Sequence, residues 1–318
     1  MQFCTHTDIR AIDKKINYQT GILMLGSCFS EHIAKRLQYY HFPVTANPTG
    51  ILFNPLSIAR TLSMFQSGAI PKIDLSGERY FSYDVHSSLS CGDLESFTKT
   101  LEDRIELGSR ALAKSEFCIF TFGTAFAYKL QNGKVVANCH KQPGNLFTKT
   151  LLEAEEIADE FIELLDGILR NKEVIFTISP VRHLADGLEE NSLSKSILRV
   201  GVDLICRRHK NAHYFPSYEI FMDELRDYRF YDTDMIHPGA QGIEYVWERF
   251  MEYAVENDAH QLMEQVQKIM QAAGHRPLHP KSHEHAAFCT EQLKKIDSLK
   301  GKVDLSKERE IFLEYTKI

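Results

Sequence analysis

Two short segments of the sequence carry side chains that are suited to nucleophilic chemistry. The first, GSCFS at 26–30, follows an apolar run and delivers Ser27 and Cys28 to the start of a predicted helix. The second, YDTDMIHPGAQG at 231–242, places Asp234 three residues before His237. A carboxylate can fix the tautomer of an imidazole, and that imidazole can then take the proton of a nucleophile. Together the segments predict a Cys/Ser-His-Asp arrangement.

Each segment also has a purely structural interpretation. Ser27 is placed to cap the helix that follows it, because a hydroxyl at that position accepts a bond from a free backbone N–H. Asp234 and His237 precede another predicted helix and can cap it in the same way. The catalytic interpretation gains weight because both segments occur in one α/β chain, with the nucleophile early and the histidine late.

The choice between Ser27 and Cys28 depends on the shape of the turn that carries them. If the elbow of such strand–helix turns is kept, position 28 points over the strand ends and position 27 turns sideways. A thiol at a helix N-terminus near a histidine is expected to have a lowered pKa, which would make Cys28 a competent nucleophile. Ser27 remains the alternative, because a turn that differs by one residue would present its hydroxyl instead.

Buried strands alternate with helices along most of the chain, a pattern that predicts a parallel sheet covered on both faces. Ligands of such sheets bind at the carboxyl ends of the strands, so Gly26, Gly123 and Ser179 are expected to border one crevice. The predicted strands are 21–26, 117–122, 173–179 and a fourth within 211–221, with a hairpin turn at Asn132-Gly133, and the predicted helices are 29–40, 56–66, 93–114, 150–170, 191–209 and 239–256.

Residues 257–318 differ from the part of the chain before them. They are charged, mostly helical in pattern and broken at 274–283, so we expect a helical extension packed on an α/β domain of residues 1–256. Histidines cluster around this break, but their proline-broken spacing argues against a metal site. No glycine-rich phosphate motif occurs, so no cofactor is expected. The clustered histidines are His275, His279, His283 and His285.

The composition argues against several classes of partner. The 318 residues carry a net charge of −6 without a basic cluster, which does not suit nucleic acid. No apolar run approaches the ~18 residues of a membrane span, and the N-terminus lacks the apolar segment of a signal peptide. The seven cysteines include no C-x-x-C pair, which favours reduced thiols in a cytoplasmic protein. The oligomeric state is left open.

Several longer strings resemble a known family. The DxxHP motif at 234–238 and the glycines after the first two buried strands resemble the SGNH (GDSL-like) hydrolase superfamily. Within it, the chain is similar to the GSCFA-domain branch over residues 20–255. Beside GSCFS, that likeness is carried by NCHKQPGNLF at 138–147, ISPVRHLADGLEENSLSK at 178–195 and RDYRFYDTDMIHP at 226–238.

The resemblance implies a flavodoxin-like three-layer α/β/α sandwich and ester hydrolysis or acyl transfer. It also implies an oxyanion hole built from the nucleophile's own N–H, a glycine N–H and an asparagine side chain. Gly50 in NPTG matches the glycine, and Gly123 marks the block in which the asparagine is expected. Ala125 occupies the asparagine position here, and the loss of one such donor typically lowers a rate by ~10²–10³. The candidate substitutes are Asn47, Asn138 and His140.

Two further groups of residues have weaker claims on the crevice. Arg182 and His183 follow the third buried strand, and Arg182 is suited to bind a carboxylate or phosphate of a substrate. The alternative for Arg182 is a surface ion pair with Asp186 or Glu189. His86, with its neighbour Ser87, lies in a long loop that is a candidate cover for the site.

The sequence therefore predicts an acyl-ester hydrolase or acyltransferase of SGNH type, acting on a small-molecule or glycan-linked acyl substrate. The first alternative is a binding module on the same fold that holds a glycan or acylated ligand without turning it over, which the alanine at 125 motivates. A third hypothesis is a thiol-based redox role for Cys28, which would not depend on Asp234.

Overall fold

The computed structural model describes residues 4–280 and 282–316. Ten strands form one five-stranded sheet and two small antiparallel sheets within those residues. The strands are β1 (Ile22–Gly26), β2 (Val44–Ala46), β3 (Asp74–Ser76), β4 (Arg79–Phe81), β5 (Phe117–Phe122), β6 (Phe126–Leu130), β7 (Val135–Val136), β8 (Phe147–Leu151), β9 (Glu173–Ile178) and β10 (Ala212–Phe215).

Helices connect most of these strands and form the end of the chain. A short helix, α6, continues into a single π-helical turn at Ile220–Glu224. The α-helices are α1 (Cys28–Tyr39), α2 (Pro55–Ser67), α3 (Leu94–Lys114), α4 (Ala154–Asp166), α5 (Leu188–Arg208), α6 (Ser217–Glu219), α7 (Ala240–Ala254), α8 (Asn257–Gly274), α9 (His283–Ser298) and α10 (Ser306–Glu314).

The five-stranded sheet has the order β2-β1-β5-β9-β10, and each neighbouring pair is parallel. Counted along the chain, these strands stand in the order 2-1-3-4-5, which is the order of flavodoxin-like folds. The predicted fold class is therefore confirmed. The order reverses between β1 and β5, and ligands of such sheets bind outside the carboxyl ends of the strands at that reversal.

Side chains alternate across the sheet into two apolar layers. Ile22 and Met24 of β1 pack in the layer beneath α1, α7 and the C-terminal helices, whereas Leu23 and Leu25 pack in the layer beneath α2, α3, α4 and α5. Because both faces are covered, the three central strands β1, β5 and β9 read as largely apolar runs. The functional groups must therefore lie at the strand ends.

The elements outside the main sheet correct one predicted boundary. β6 pairs with β7 across the predicted Asn132-Gly133 turn, where Gly133 has a φ of 82°. β6 also pairs with β8, so residues 147–151 form a strand. The helix that was predicted over 150–170 is wrong at both ends, since α4 spans Ala154–Asp166 only.

The C-terminal helices share the apolar layer of α1 and α7. Their buried residues belong to the same cluster as Ile33 of α1 and Trp247 of α7. His41, which follows α1, lies 3.5 Å from the carboxylate of Glu308 on α10. The boundary at residue 256 between domain and extension stays a prediction. Among the described residues, no helix combines the length and apolar character needed to cross a bilayer.

The packing of α3 on α2 depends on a glycine. A Cβ built on Gly108 would lie 2.2 Å from the ring of Phe65, which is itself buried. We expect Gly108→Ala to lower the free energy of unfolding. The clash with Phe65 costs about 1–3 kcal/mol, which exceeds the gain of about 1 kcal/mol from the higher helix propensity of alanine. Urea unfolding checks this. Gly274→Ala in α8, with open space around the new methyl group, is the matched control, and equal effects of the two substitutions would contradict the packing.

Candidate active site

The turn from β1 into α1 is fixed by close contact with β5. Gly26 has a φ of 147°, and a Cβ on it would lie 2.3 Å from the carbonyl oxygen of Thr121. Only glycine permits this approach. The next amide, that of Ser27, donates to the same oxygen at 3.1 Å. Ser27 then forms the N-cap of α1 and Cys28 is its first helical residue.

The turn exposes the two nucleophiles to different degrees. Ser27 is 1% exposed, and its Oγ has no hydrogen-bond partner among the described residues. Ser27 also makes no side-chain capping bond, so the structural role that its sequence position suggested is not filled. Cys28 is only partly buried. The thiol is therefore the more accessible of the two groups.

The pKa of the Cys28 thiol is raised, and the expectation of a lowered value was wrong. Burial is the largest cause, and it outweighs the backbone N–H groups of Phe29 and Cys28 that favour the thiolate. The negative charge of Glu31 raises the value further, while the positive charge of Lys195 lowers it. In the resting protein Cys28 is therefore a thiol, and it needs a base to remove its proton.

Asp234 and His237 form the hydrogen-bonded pair that the sequence predicts. Nδ1 of His237 lies 2.6 Å from Oδ2 of Asp234, and the other carboxylate oxygen accepts from the amides of Ile236 and His237 at 2.9 Å. These bonds, led by the His237 amide, lower the pKa of Asp234 to about 2. Nothing in residues 4–280 or 282–316 hydrogen-bonds to Nε2 of His237, which leaves this nitrogen available as an acceptor.

The packing of α1 along α7 brings this pair towards Cys28. Arg36 of α1 forms an ion pair with Glu244 of α7, and one turn earlier His32 and Ala240 face the same cleft. One further turn back on α1 is Cys28, its first residue. The positive charge of His237 contributes to the lowered pKa of His32, which burial mainly causes. His237 also acts on His183 after β9, so its loop lies near the carboxyl edge of the sheet, where Cys28 begins α1.

The structure places one charged residue here that sequence reasoning missed. Lys195 of α5 is 3% exposed, and its Nζ donates to the carbonyl oxygens of Gly123 and Ser179 at 2.6 and 2.7 Å. Burial lowers its pKa to about 7, and the negative charge of Cys28 acts to raise it. The sequence did contain a signal, because Lys195 occupies the buried stripe of α5, with Leu198 and Val202 three and seven residues further on.

His183 stands between this edge and a cavity of about 340 Å³. Its ring packs edge-on against Phe53 at a centroid distance of 5.8 Å. Burial lowers the pKa of His183 to about 4, and the positive charges of Lys195 and His237 add to this effect, so the imidazole is neutral. The cavity is bordered by an ion pair of Lys149 and Asp186, and its other lining residues include Phe53, Phe126, Tyr128, Val136, Ala137 and Leu184.

Asn47 and Gly50 form a tight turn beside Gly26. The side-chain oxygen of Asn47 accepts from the Gly26 amide at 2.9 Å, whereas its buried Nδ2 has no partner among the described residues. The amide of Gly50 donates to the carbonyl of Asn47 at 2.8 Å, so this N–H is engaged within the turn. A Cβ on Gly50 would lie 2.3 Å from Cβ of His86, which places the 82–90 loop directly on the turn.

The segment after β5, which carries Gly123 and Ala125, makes only buried contacts. The amide of Gly123 donates to the carbonyl of Phe53 at 2.8 Å, while its own carbonyl accepts from Lys195. Ala125 is fully buried, and its amide donates to Oγ of Ser194 at 2.7 Å. A side chain at position 125 therefore faces the protein core, and the crevice obtains no donor from it.

Asn138 borders the cavity, and His140 follows it two residues later. The side-chain oxygen of Asn138 accepts from the amide of His140 at 2.8 Å. Nε2 of His140 bonds to the carbonyl of Ser82 at 2.8 Å, and its ring packs on Phe81. Burial lowers the pKa of His140. Through these contacts His140 fixes the 82–85 segment, whereas Asn138 borders the cavity.

Arg182 makes neither of the ion pairs considered for it, because Asp186 pairs with Lys149. Its guanidinium lies 4.9 Å from the ring centre of Tyr231, and it donates to the hydroxyl of Tyr228 at 3.3 Å. Among the described residues the guanidinium forms no ion pair, and its two tyrosine partners lie on the loop that leads to Asp234. Within the described ranges, no group of three His, Cys, Asp or Glu residues is arranged to hold a metal ion.

Comparisons with known proteins extend over most of the chain. The GSCFA family model matches residues 21–250, which contain both the thiol turn and the Asp-His loop. A second model, for the C-terminal domain of GSCFA domain proteins, matches residues 266–317. A search of the curated proteins found no match. Since the first model alone covers well over half of the 318 residues, the chain belongs to the GSCFA family.

Proposed function

We propose that this protein is an acyl-transfer enzyme of SGNH type, an ester or thioester hydrolase or an acyltransferase, with Cys28 as its nucleophile. His237 is the general base and then the general acid, and Asp234 orients it. The observation that carries the proposal is the bonded Asp234–His237 pair, with Nε2 free, at the same sheet edge as the partly exposed Cys28.

The proposed reaction begins with a neutral thiol, in keeping with the raised pKa of Cys28. As the sulfur attacks the acyl carbonyl carbon, its proton passes to Nε2 of His237 and the carbonyl electron pair moves to oxygen. The tetrahedral oxyanion then expels the alcohol or thiol, which takes that proton from His237. In the second half-reaction water or an acceptor alcohol, deprotonated by His237, attacks the thioester carbon, and the Cys28 sulfur leaves and takes the proton back from His237.

The oxyanion needs donors other than the asparagine that position 125 lacks. The Cys28 amide belongs to the first turn of α1, where backbone N–H groups have no partner within the helix. Nδ2 of Asn47 is a buried, unpaired donor beside the same turn. A contact from the Gly50 amide would require its bond to Asn47 to break, so we assign the donor roles to Cys28 and Asn47.

The cavity next to His183 supports a substrate with an apolar acyl group. Its volume of about 340 Å³ falls within the range of small-molecule pockets, about 300–1,000 Å³. Aromatic and aliphatic side chains make up most of its lining, and its charged border is already paired within the protein. An acyl chain would fill this space, while the alcohol or thiol part of the substrate would leave past Arg182.

Substitution of the two nucleophile candidates tests the assignment. We expect Cys28→Ala to lower turnover of p-nitrophenyl and thioester substrates by about 10³-fold or more, because covalent attack is lost. Ser27→Ala should retain most of the activity, since its buried hydroxyl is not presented to a substrate. Iodoacetamide labelling, located by mass spectrometry, should mark Cys28, whereas a fluorophosphonate would mark Ser27 if the serine were the nucleophile.

The matched control is Cys206→Ala, which removes another partly buried thiol near the C-terminal end of α5, away from the cavity. It should leave turnover within about twofold of the wild type, as expected for a residue outside the reacting groups. Loss of turnover in Ser27→Ala with activity kept in Cys28→Ala would transfer the role to the serine. No labelling at either position, together with no turnover over the substrate panel, would end the enzyme proposal.

The binding-module alternative is favoured by one observation, the buried alanine at the usual oxyanion position. Parallel binding and turnover measurements separate it from catalysis. In our proposal His237→Ala loses turnover by about 10³-fold yet binds a non-hydrolysable thioether analogue within about threefold of the wild type. Arg182→Ala weakens binding of carboxylate-bearing analogues, whereas Arg79→Ala, on the β3–β4 hairpin, does not. Tight binding by the wild type without any turnover would favour the module.

A further inference from the structure

The buried Lys195 is the least expected group near the candidate site. Moving an ammonium group out of water is costly unless partners compensate it, and lysine is almost never fully buried without them. Within residues 4–280 and 282–316, Lys195 has no ion pair with a carboxylate. Its Nζ is held instead by the carbonyls of Gly123 and Ser179, one at the end of β5 and one at the end of β9.

The groups that face Lys195 come from several elements. Cys28 at the start of α1 is the group whose charge acts on it, and His183 after β9 is neutral. The ring of Tyr218 on α6 lies 5.9 Å from Nζ. More remote charges act on these neighbours, since Glu31 affects Cys28 and His237 affects His183. A negative charge that develops at Cys28 would therefore stabilise the buried ammonium group, which has no carboxylate partner among the described residues.

We propose that Lys195 is an electrostatic positioning residue, held by two strand-end carbonyls so that its ammonium group stabilises negative charge that develops at Cys28. This inference rests on the proposed function, because it takes Cys28 to be the nucleophile. It supplies positive charge to a crevice whose asparagine position is occupied by Ala125. Lys195 takes up no proton in the reaction, since the thiol proton passes to His237.

The coupling between the two groups is reciprocal. The charge of Lys195 lowers the pKa of Cys28, and the charge of a Cys28 thiolate raises the pKa of Lys195. Since burial holds the pKa of Lys195 near 7, its charge is present below that pH in the resting protein and is lost as the pH rises. The stabilisation of negative charge at the resting Cys28 is therefore expected to be greater at pH 6.5 than at pH 8.5.

Two alkylating reagents of similar size test the proposal without any need for turnover. Iodoacetate is an anion and iodoacetamide is neutral, so the ratio of their rates at one thiol reports the local charge rather than its accessibility. We expect the iodoacetate-to-iodoacetamide ratio at Cys28 to fall about tenfold in Lys195→Met at pH 6.5. The wild-type ratio should itself fall between pH 6.5 and 8.5. Peptide mass spectrometry measures both rates at each cysteine.

Lys172→Met is the matched control, because Lys172 also donates to a backbone carbonyl, that of Ser115, but at the opposite end of the sheet. It should leave the ratio at Cys28 unchanged. An unchanged ratio in folded Lys195→Met, as judged by circular dichroism, would overturn the proposal. A merely structural clip would alter both reagents' rates together and leave their ratio constant, which also counts against an electrostatic role.

A second measurement keeps the test decisive if Lys195→Met does not fold. In the wild type, the iodoacetate-to-iodoacetamide ratio at Cys28 should exceed that at Cys139 by about tenfold. Burial alone raises the pKa of Cys139, and no positive charge acts on this thiol as Lys195 acts on Cys28. Equal ratios at the two thiols would overturn the inference. An elevated ratio in a protein that hydrolyses no ester or thioester would leave Lys195's effect intact and reject the proposed function alone.

Discussion

The parallel pairing of β1 with β5 is the constraint on which the candidate site depends. Gly26 lies so close to Thr121 that no side chain can stand at that position, and the amide of Ser27 then bonds to the same strand. The direction in which the chain leaves the sheet is thereby set. Cys28 begins its helix where the strand order reverses, between β1 and β5.

The same edge concentrates polar groups that are buried without partners. Ser27 Oγ, Asn47 Nδ2 and Thr49 Oγ1 have no hydrogen bond within the described residues, and each such group costs about 1–3 kcal/mol. Lys195 adds a buried ammonium group. Elsewhere the two apolar layers are continuous, so the sheet and its helices must offset this local cost. Groups left unpaired in this way are available to bond to a ligand.

The fold was largely predictable from the sequence, because its main strands are apolar runs and its helices have regular buried stripes. The hairpin at Asn132-Gly133 followed from local residues, and the cap of α2 has the same local origin in Asn54 and Pro55. β8 was missed because its half-exposed residues carry a weak alternation, and tertiary pairing with β6 decides their conformation. The Asp234–His237 pair was accessible to sequence reasoning because its members are three residues apart.

Long-range properties of the site could not be obtained in this way. The pKa of Cys28 depends on how deeply the folded chain buries the thiol, and burial reverses the direction that a helix N-terminus alone suggests. Lys195 lies 167 positions after Cys28 in the sequence, and only the fold brings their charges together. The hydrogen bond from the Gly50 amide to the carbonyl of Asn47 likewise depends on the backbone conformation of the turn, which no sequence motif specifies.

The central claim is that Cys28 carries the acyl group during turnover, and acid quenching of the reaction tests it most directly. The protein would be mixed with an activated medium-chain thioester, quenched within the first turnover, digested and analysed by mass spectrometry. The account predicts one acyl group on Cys28, absent from Cys28→Ala and formed far more slowly in His237→Ala. An acyl group on Ser27, or none while substrate is consumed, would contradict it.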